Sequence, residues 1–201
     1  MQPLTLTDLD AELTDAIGAD ADKATFDRIG AHVDRLDTRT VPSLHSAALW
    51  YASQGLYVFP LTPRTKVPIK GTNGCLGATD DPDMVNKWWT GQPNANIGLA
   101  TGHVVDVVDI DGAEGQRSRL KHWDDIFERI DADALAKVCT PRPGGMHIYL
   151  PATGDGNKAG IFPGVDYRGR GGYVVAPPSV NDVGTYRFFG PVKLAGIGVT
   201  A

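Results

Sequence analysis

Two carboxylates stand at alternate positions at the end of an apolar run, in His103-Val-Val-Asp-Val-Val-Asp-Ile-Asp-Gly112. Read as a strand, the run puts Asp109 and Asp111 on one face, because successive side chains point to opposite sides. Asp106 has the opposite parity and points away from the pair. Neighbouring carboxylates repel unless a cation lies between them, and Mg²⁺ and Mn²⁺ are hard ions that take carboxylate oxygen. The competing expectation is a solvated strand end entering an Asp-Gly turn. Two further clusters could join this pair. Gly144-Gly-Met-His147 opens a strand that puts Gly145, His147 and Tyr149 on one face, with glycine N–H groups open to a phosphate. Taken alone, His147 is an ordinary surface or core histidine. Val165-Asp166-Tyr-Arg168-Gly-Arg-Gly-Gly172 repeats the i, i+2 spacing and adds a turn through which a polyphosphate could approach backbone. Taken alone, it is a glycine-rich hairpin.

Together the three suit one chemistry. Two-metal phosphoryl transfer needs carboxylates that hold two ions about 4 Å apart. It also needs cationic groups where charge accumulates on the triphosphate. Asp109, Asp111 and Asp166 supply the first. His147 and Arg168, with Arg142, Arg170 or Lys66, supply the second. No Walker-type phosphate loop, GxSxG elbow, HExxH helix or kinase signature occurs in the sequence.

The elements that must position these groups are legible from periodicity and breakers. Residues 1–40 read as an acidic helical appendage, with apolar stripes Leu9, Leu13, Ile17 and Phe26, Ile29, Val33, Leu36. Pro42-Ser43 marks a boundary. Ser43 or Ser46 caps a helix through Tyr51, closed by Gly55, and a strand follows over 56–61. Residues 62–79 read as a loop, and Asp81-Pro82 opens a helix containing Val85, Trp88 and Trp89. Strands are expected at 96–100, 103–109, 138–140, 146–150, 173–176 and 186–189, and Gly164–Arg168 leads into the glycine-rich turn 169–172. One helix is expected over 113–136, with Leu120, Trp123, Phe127 and Ile130 on a single stripe. Residues 151–163 read as a loop. Strands and helices mix without strict alternation, so the fold class is α+β (mixed α/β).

The chain has 201 residues, enough for one ordinary domain and a small appendage, and its 42% hydrophobic content supports a sizeable core. No apolar run approaches the roughly 18 residues of a membrane span, and no signal peptide is recognisable. Cys75 and Cys139 lack CxxC spacing and read as reduced thiols of a cytosolic protein, too few for a cysteine-rich zinc site. A net charge of −5 argues against a surface coated for non-specific duplex binding. Residues 140–172 nevertheless carry Arg142, Lys158, Arg168 and Arg170 against Asp155 and Asp166, so the local field there is positive.

In order along the chain, several segments resemble the bifunctional DNA primase/polymerase (prim-pol) domains of the archaeo-eukaryotic primase superfamily. They are Ala47–Leu61, Lys66-Val-Pro68, Ala78-Thr-Asp80, Trp88-Trp89, Asn94–Gly98, Val108-Asp-Ile-Asp-Gly112, Thr140–His147, Gly164–Gly172 and Pro177-Pro-Ser179. The resemblance spans roughly residues 43–190. It implies a primase-like core with an RRM-like sheet and an N-terminal α/β unit over 41–190, and a linker to a further domain from 191–201. It further implies a DNA-templated nucleotidyltransferase, primase and polymerase, of phage or plasmid replication in a bacterial cytoplasm. Two Mg²⁺ or Mn²⁺ ions and no zinc are implied as cofactors. Single-stranded DNA template, primer and NTP or dNTP are implied as partners, with a helicase, fused or separate, and no membrane.

Carried over by position, Asp109 and Asp111 are similar to the family's first acidic motif and Asp166 to its third. His147 is similar to the histidine that meets the incoming phosphates, and Arg168 to a basic residue near the triphosphate. Many relatives carry Ser two positions before that histidine. Gly145 stands there instead, so a backbone N–H is expected to replace a hydroxyl contact. Lesser roles are suggested for Lys66, Lys70, Asn96 and Ser179. Trp88 and Trp89 could stack on template bases, although such a pair is more often core plus a half-exposed neighbour. The alternatives are a non-catalytic replication-initiation or helicase-associated module of the same fold, and a metal-dependent phosphohydrolase or nuclease.

Overall fold

A computed structural model describes residues 42–198. The expected appendage over 1–40 lies outside the described residues. Ser43 caps helix α1 (Leu44–Ser53) by accepting from the Ser46 N–H at 3.0 Å, satisfying one of the donors left open at a helix start. Strand β1 (Val58–Leu61) follows, and a 3₁₀ turn (Gly74–Gly77) interrupts the long loop after it. Asp81 caps α2 (Pro82–Gly91), with Pro82 in the first turn where its missing N–H costs nothing. Strand β2 (Asn96–Ala100) is buried throughout. These elements build a three-stranded antiparallel sheet, β1-β2-β8, whose third strand β8 (Tyr173–Ala176) arrives from late in the chain. The small sheet is therefore not contiguous in sequence.

The second sheet has six strands, all paired antiparallel, in the order β6-β7-β3-β5-β4-β9. They are β3 (Val105–Ile110), β4 (Ala136–Cys139), β5 (Met146–Pro151), β6 (Lys158–Phe162), β7 (Val165–Arg168) and β9 (Arg187–Phe189). The observed class is α+β. Alternation on β3 divides the core. Val105 and Val107 face α1, α2 and the small sheet, together with Tyr149, Ala136 and Val138. Val108 and Ile110 face the other way, with Ile148, Val165 and Phe127.

The chain leaves the small sheet after β2 through Thr101-Gly102 and returns to it before β8 through residues 169–172. The two crossings are locked together. The Thr101 hydroxyl donates to the Gly169 carbonyl at 2.7 Å, and the Thr101 N–H to the Gly172 carbonyl at 3.0 Å. Gly102 (φ +84°) lies so close to Arg170 that a Cβ would sit 2.1 Å from its Cα, so only glycine fits.

The structure corrects the sequence reading in three places. The single helix expected over 113–136 is α3 (Gly112–Lys121), a π-helical stretch (Trp123–Phe127) and a short α4 (Glu128–Ala132). The π stretch shifts the phase of the face, so Phe127 is buried while Leu120 is 41% exposed. The loop expected over 151–163 contains β6, an edge strand with a bulge and a half-exposed, non-alternating pattern that periodicity cannot detect. The described part of the segment expected to begin a linker, residues 191–198, packs back instead. Leu194 is fully buried, and the Gly198 N–H donates to the Gln54 carbonyl at 2.9 Å. Among the described residues, no helix is long and apolar enough to cross a membrane.

Candidate active site

The core-facing side of β3 runs Val105, Val107, Asp109, so the apolar interior turns acidic at the strand's end. Antiparallel register sets His147 of β5 directly opposite Asp109 on one side and Asp166 of β7 opposite it on the other. Residues directly opposed in adjacent strands point to the same face. Three chain-distant groups therefore form one line across the sheet. Tyr149 and Arg168 flank Val107 in the parallel line one pleat back.

Like charges opposed across strands destabilise a sheet, and here a guanidinium relieves the repulsion. Arg168 Nη2 donates to Asp166 Oδ2 at 2.7 Å and to Asp109 Oδ2 at 3.3 Å. Asp166 Oδ1 accepts from the Gly160 N–H of β6 at 2.7 Å. Asp111 leads into α3, and its Oδ1 accepts from Arg142 Nη1 at 2.8 Å in an exposed pair. The Asp109 side chain is only 16% exposed. Its burial, and then the Asp111 charge, push its carboxyl above the usual range, while Arg168 and Lys66 pull it back in part.

His147 is buried, with Nε2 3.5 Å from Asp109 Oδ1, beyond ordinary hydrogen-bond length. Burial, and then the Lys66 and Arg168 charges, lower the imidazole to about 3, so it is neutral at ordinary pH. Its Nδ1 and the Tyr149 hydroxyl are buried without a hydrogen-bond partner. Tyr186 lies beside His147, with ring centroids 5.9 Å apart. Burial, then Asp109 and Asp111, push its phenol up to about 12, so it stays protonated.

A cavity of about 250 Å³ opens between the sheets over this line. It is bounded by Lys66, Asp109, His147, Arg168, Tyr173 and Tyr186, and by the backbone of Gly171 and Gly172. A buried carboxylate, a neutral imidazole and two cations at the mouth of one cavity form an arrangement suited to a polyanion.

The model of the bifunctional DNA primase/polymerase N-terminal domain family matches residues 48–197. The chain belongs to this family. None of the curated proteins compared with it matches.

In this prim-pol chain the cavity gathers Asp109, His147, Arg168 and Lys66. Asp166 joins them through Arg168 behind the wall, and Asp111 stands at the strand's end. Three other expected residues do not reach the cavity. The Gly145 N–H is not open to a ligand: it donates to the Arg142 carbonyl at 2.8 Å, closing the turn. A Cβ at Gly145 would lie 2.1 Å from the Thr140 hydroxyl. Arg142 is turned to Asp111, and Arg170 is exposed beyond the crossing at Gly102. Asn96 and Ser179 are wholly buried ties. The Asn96 amide donates to the Thr65 and Val180 carbonyls, and the Ser179 hydroxyl accepts from the Ile97 N–H. Trp89 is core, its indole donating to the Ala95 carbonyl at 3.0 Å, and Trp88 is half-buried. Asp106 lies on the opposite face, as its parity predicted, and accepts from the Thr153 N–H and the Tyr167 hydroxyl.

Sequence reading missed Tyr173, Tyr186 and Asn157. The Tyr173 hydroxyl donates to the Lys66 carbonyl at 2.9 Å and so fixes the loop that presents Lys66. Asn157 accepts from the Gly169 N–H at 3.1 Å and stands 2.2 Å from where a Cβ at Gly172 would be. It thereby shapes the glycine-rich turn. No local pattern marks these residues, because their roles arise only when β8, β9 and β6 meet the site.

The donor set tests what ion this site suits. Its acidic donors are the carboxylate oxygens of Asp109, Asp111 and Asp166, with His147 Nε2 3.5 Å from Asp109 Oδ1. That chemistry fits a hard divalent cation. Among the described residues no three His, Cys, Asp or Glu side chains already stand together as ligands.

Proposed function

We propose that this domain is a DNA-templated nucleotidyltransferase, a primase and polymerase with a primase-like core, of the kind used in phage or plasmid replication. The observation that carries this reading is the cross-strand line Asp166–Asp109–His147 at a cavity walled by Lys66 and Arg168. Asp109, Asp111 and Asp166 would hold two divalent cations. When bound, such ions supply an activated 3′-hydroxyl nucleophile and stabilise the charge of the leaving pyrophosphate.

The chain's own residues do the rest. Asp109 is held in a low-dielectric pocket, where charge interactions are strong. Neutral His147 can donate one hydrogen bond to a phosphate oxygen without titrating, its Nε2 side being the one that faces Asp109 and the cavity. Arg168 and Lys66 bring positive charge to the triphosphate. The Gly171 backbone (φ +83°), with open space where a side chain would be, allows close approach of a phosphate. Tyr186, a protonated phenol beside Asp109, closes the cavity wall.

The test is incorporation of labelled nucleotides on single-stranded DNA with Mn²⁺ or Mg²⁺, with and without a primer. Products whose length and composition follow the template support the reading. Hydrolysis of nucleotides or DNA without template-dependent products would favour a phosphohydrolase or nuclease instead. Absence of both activities would favour a non-catalytic replication module.

A further inference from the structure

We infer that Arg168 serves two ligand states in turn: it neutralises Asp109 and Asp166 until a divalent cation takes those carboxylates, and it then turns to the triphosphate. The inference rests on the assignment above of these carboxylates to a cation. The geometry sets the conflict. Arg168 reaches both Asp109 and Asp166 with a single Nη2, at 3.3 and 2.7 Å. The Nη2 held by two carboxylates is not available to a phosphate, and the Oδ2 atoms it holds on Asp109 and Asp166 are not available to a metal. Yet Arg168 also lines the cavity and its side chain is 33% exposed, so it has solvent-side room to swing on a long stem.

The register makes the interim partner necessary. Asp109 and Asp166 are directly opposed, a placement that costs stability unless a cation stands between them. Arg168 supplies that cation from the same strand. It does so on a partly exposed side chain that can leave, rather than as a sealed ion pair. Cation binding and triphosphate binding would then reinforce each other through one side chain, since each removes the competitor of the other.

The test uses the full chain and inorganic tripolyphosphate in metal-free buffer, followed by calorimetry. Asp166→Asn keeps an acceptor for the Gly160 N–H but turns an N–H₂ toward Arg168, which cannot accept it, so the arginine loses its shorter carboxylate contact and keeps only the 3.3 Å one to Asp109. The expected result is about a tenfold gain in tripolyphosphate affinity, the size of one charge-assisted hydrogen bond. The gain should vanish in Asp166→Asn/Arg168→Gln. In a second titration, Mn²⁺ alone should bind Arg168→Gln about tenfold tighter than wild type. Lys66→Gln, which removes the same charge without a carboxylate contact, should gain clearly less.

No gain in Asp166→Asn, or a gain that persists in the double variant, would overturn the inference. So would equal Mn²⁺ gains in Arg168→Gln and Lys66→Gln. Neither titration measures synthesis. If wild type makes no templated product while both gains appear, the exchange stands and the enzymatic reading fails. Normal synthesis without the gains overturns the exchange alone.

Discussion

Asp109 and His147 show how one residue's surroundings decide its chemistry. Each is an ordinary titrating side chain placed where the core ends, and burial drives both toward the neutral form. The consequences for stability have opposite signs. As pH falls below 6.5, the unfolded chain protonates His147, whereas the folded chain resists until about 3. Across that window the unfolded state binds more protons, so this group's contribution to stability is lost on acidification. Asp109, raised in the fold, takes its proton earlier than the unfolded chain does. Its contribution therefore grows as pH falls toward the usual carboxylate range. Tyr149 and Tyr186 face the pair, and burial raises both phenols, so they stay protonated across this window. His147→Gln removes the histidine's effect alone. Urea denaturation from pH 6.5 downward should show wild type losing stability relative to this variant. Parallel pH profiles would contradict the buried, neutral histidine. At this scale the sequence reading was strongest where parity alone decides: Asp106 away from the site, Asp109 into it. It was weakest where a turn intervenes. Gly145 was expected to offer its N–H to a phosphate and instead closes its own loop.

Elements carry the residues to these positions, and their fit can be tested by single atoms. Gly98, in the central strand of the small sheet, faces the Phe59 ring, which a Cβ would approach to 2.5 Å. Gly98→Ala should therefore overpack the core and cost about 1–3 kcal/mol, read from urea or guanidinium midpoints. A neutral effect would mean that Phe59 repacks freely. Tyr51 of α1 is buried and donates to the Pro177 carbonyl at 2.8 Å, tying the first helix to the turn after β8. Tyr51→Phe should cost about 1–3 kcal/mol, because a buried carbonyl is left unpaired. A loss well below that would show that water replaces the phenol. Helix caps at Ser43 and Asp81 and the largely buried strands β2 and β8 were legible, because capping residues and apolar runs are local signals. The break in the 113–136 helix was not. Its apolar spacing suits a continuous helix, and the π-helical turn that moves Leu120 to the surface has no signature of its own. Edge strand β6 was hidden for a related reason: half-exposed edges need not alternate.

Across the described residues, the two sheets share the core cluster that holds Val105, Val107 and Tyr149, and the site lies where that cluster gives out. The crossings at Thr101-Gly102 and 169–172 hold the sheets at a fixed spacing and place the glycine-rich turn at the cavity. The acidic residues, the histidine and the arginine were nameable from the sequence, since motifs are local. Their meeting was expected from the chemistry and the family resemblance, but spacing did not show how, because it depends on β3 lying between β5 and β7. The walls supplied by Tyr173, Tyr186 and Asn157 follow from the same long-range pairing. The overall negative charge is no obstacle to this role, as Lys66 and Arg168 set the local field at the cavity.

The most direct measurement is primer extension on a single-stranded DNA template with Mn²⁺, comparing wild type with Asp109→Asn. This substitution keeps the size and packing of the side chain and removes the buried charge. Loss of groups that merely support a metal ligand typically costs about 10–100-fold, so removing the central carboxylate should lower incorporation at least a hundredfold while the fold, read by circular dichroism, is retained. Extension by Asp109→Asn equal to that of wild type would contradict the assignment of this site to nucleotidyl transfer.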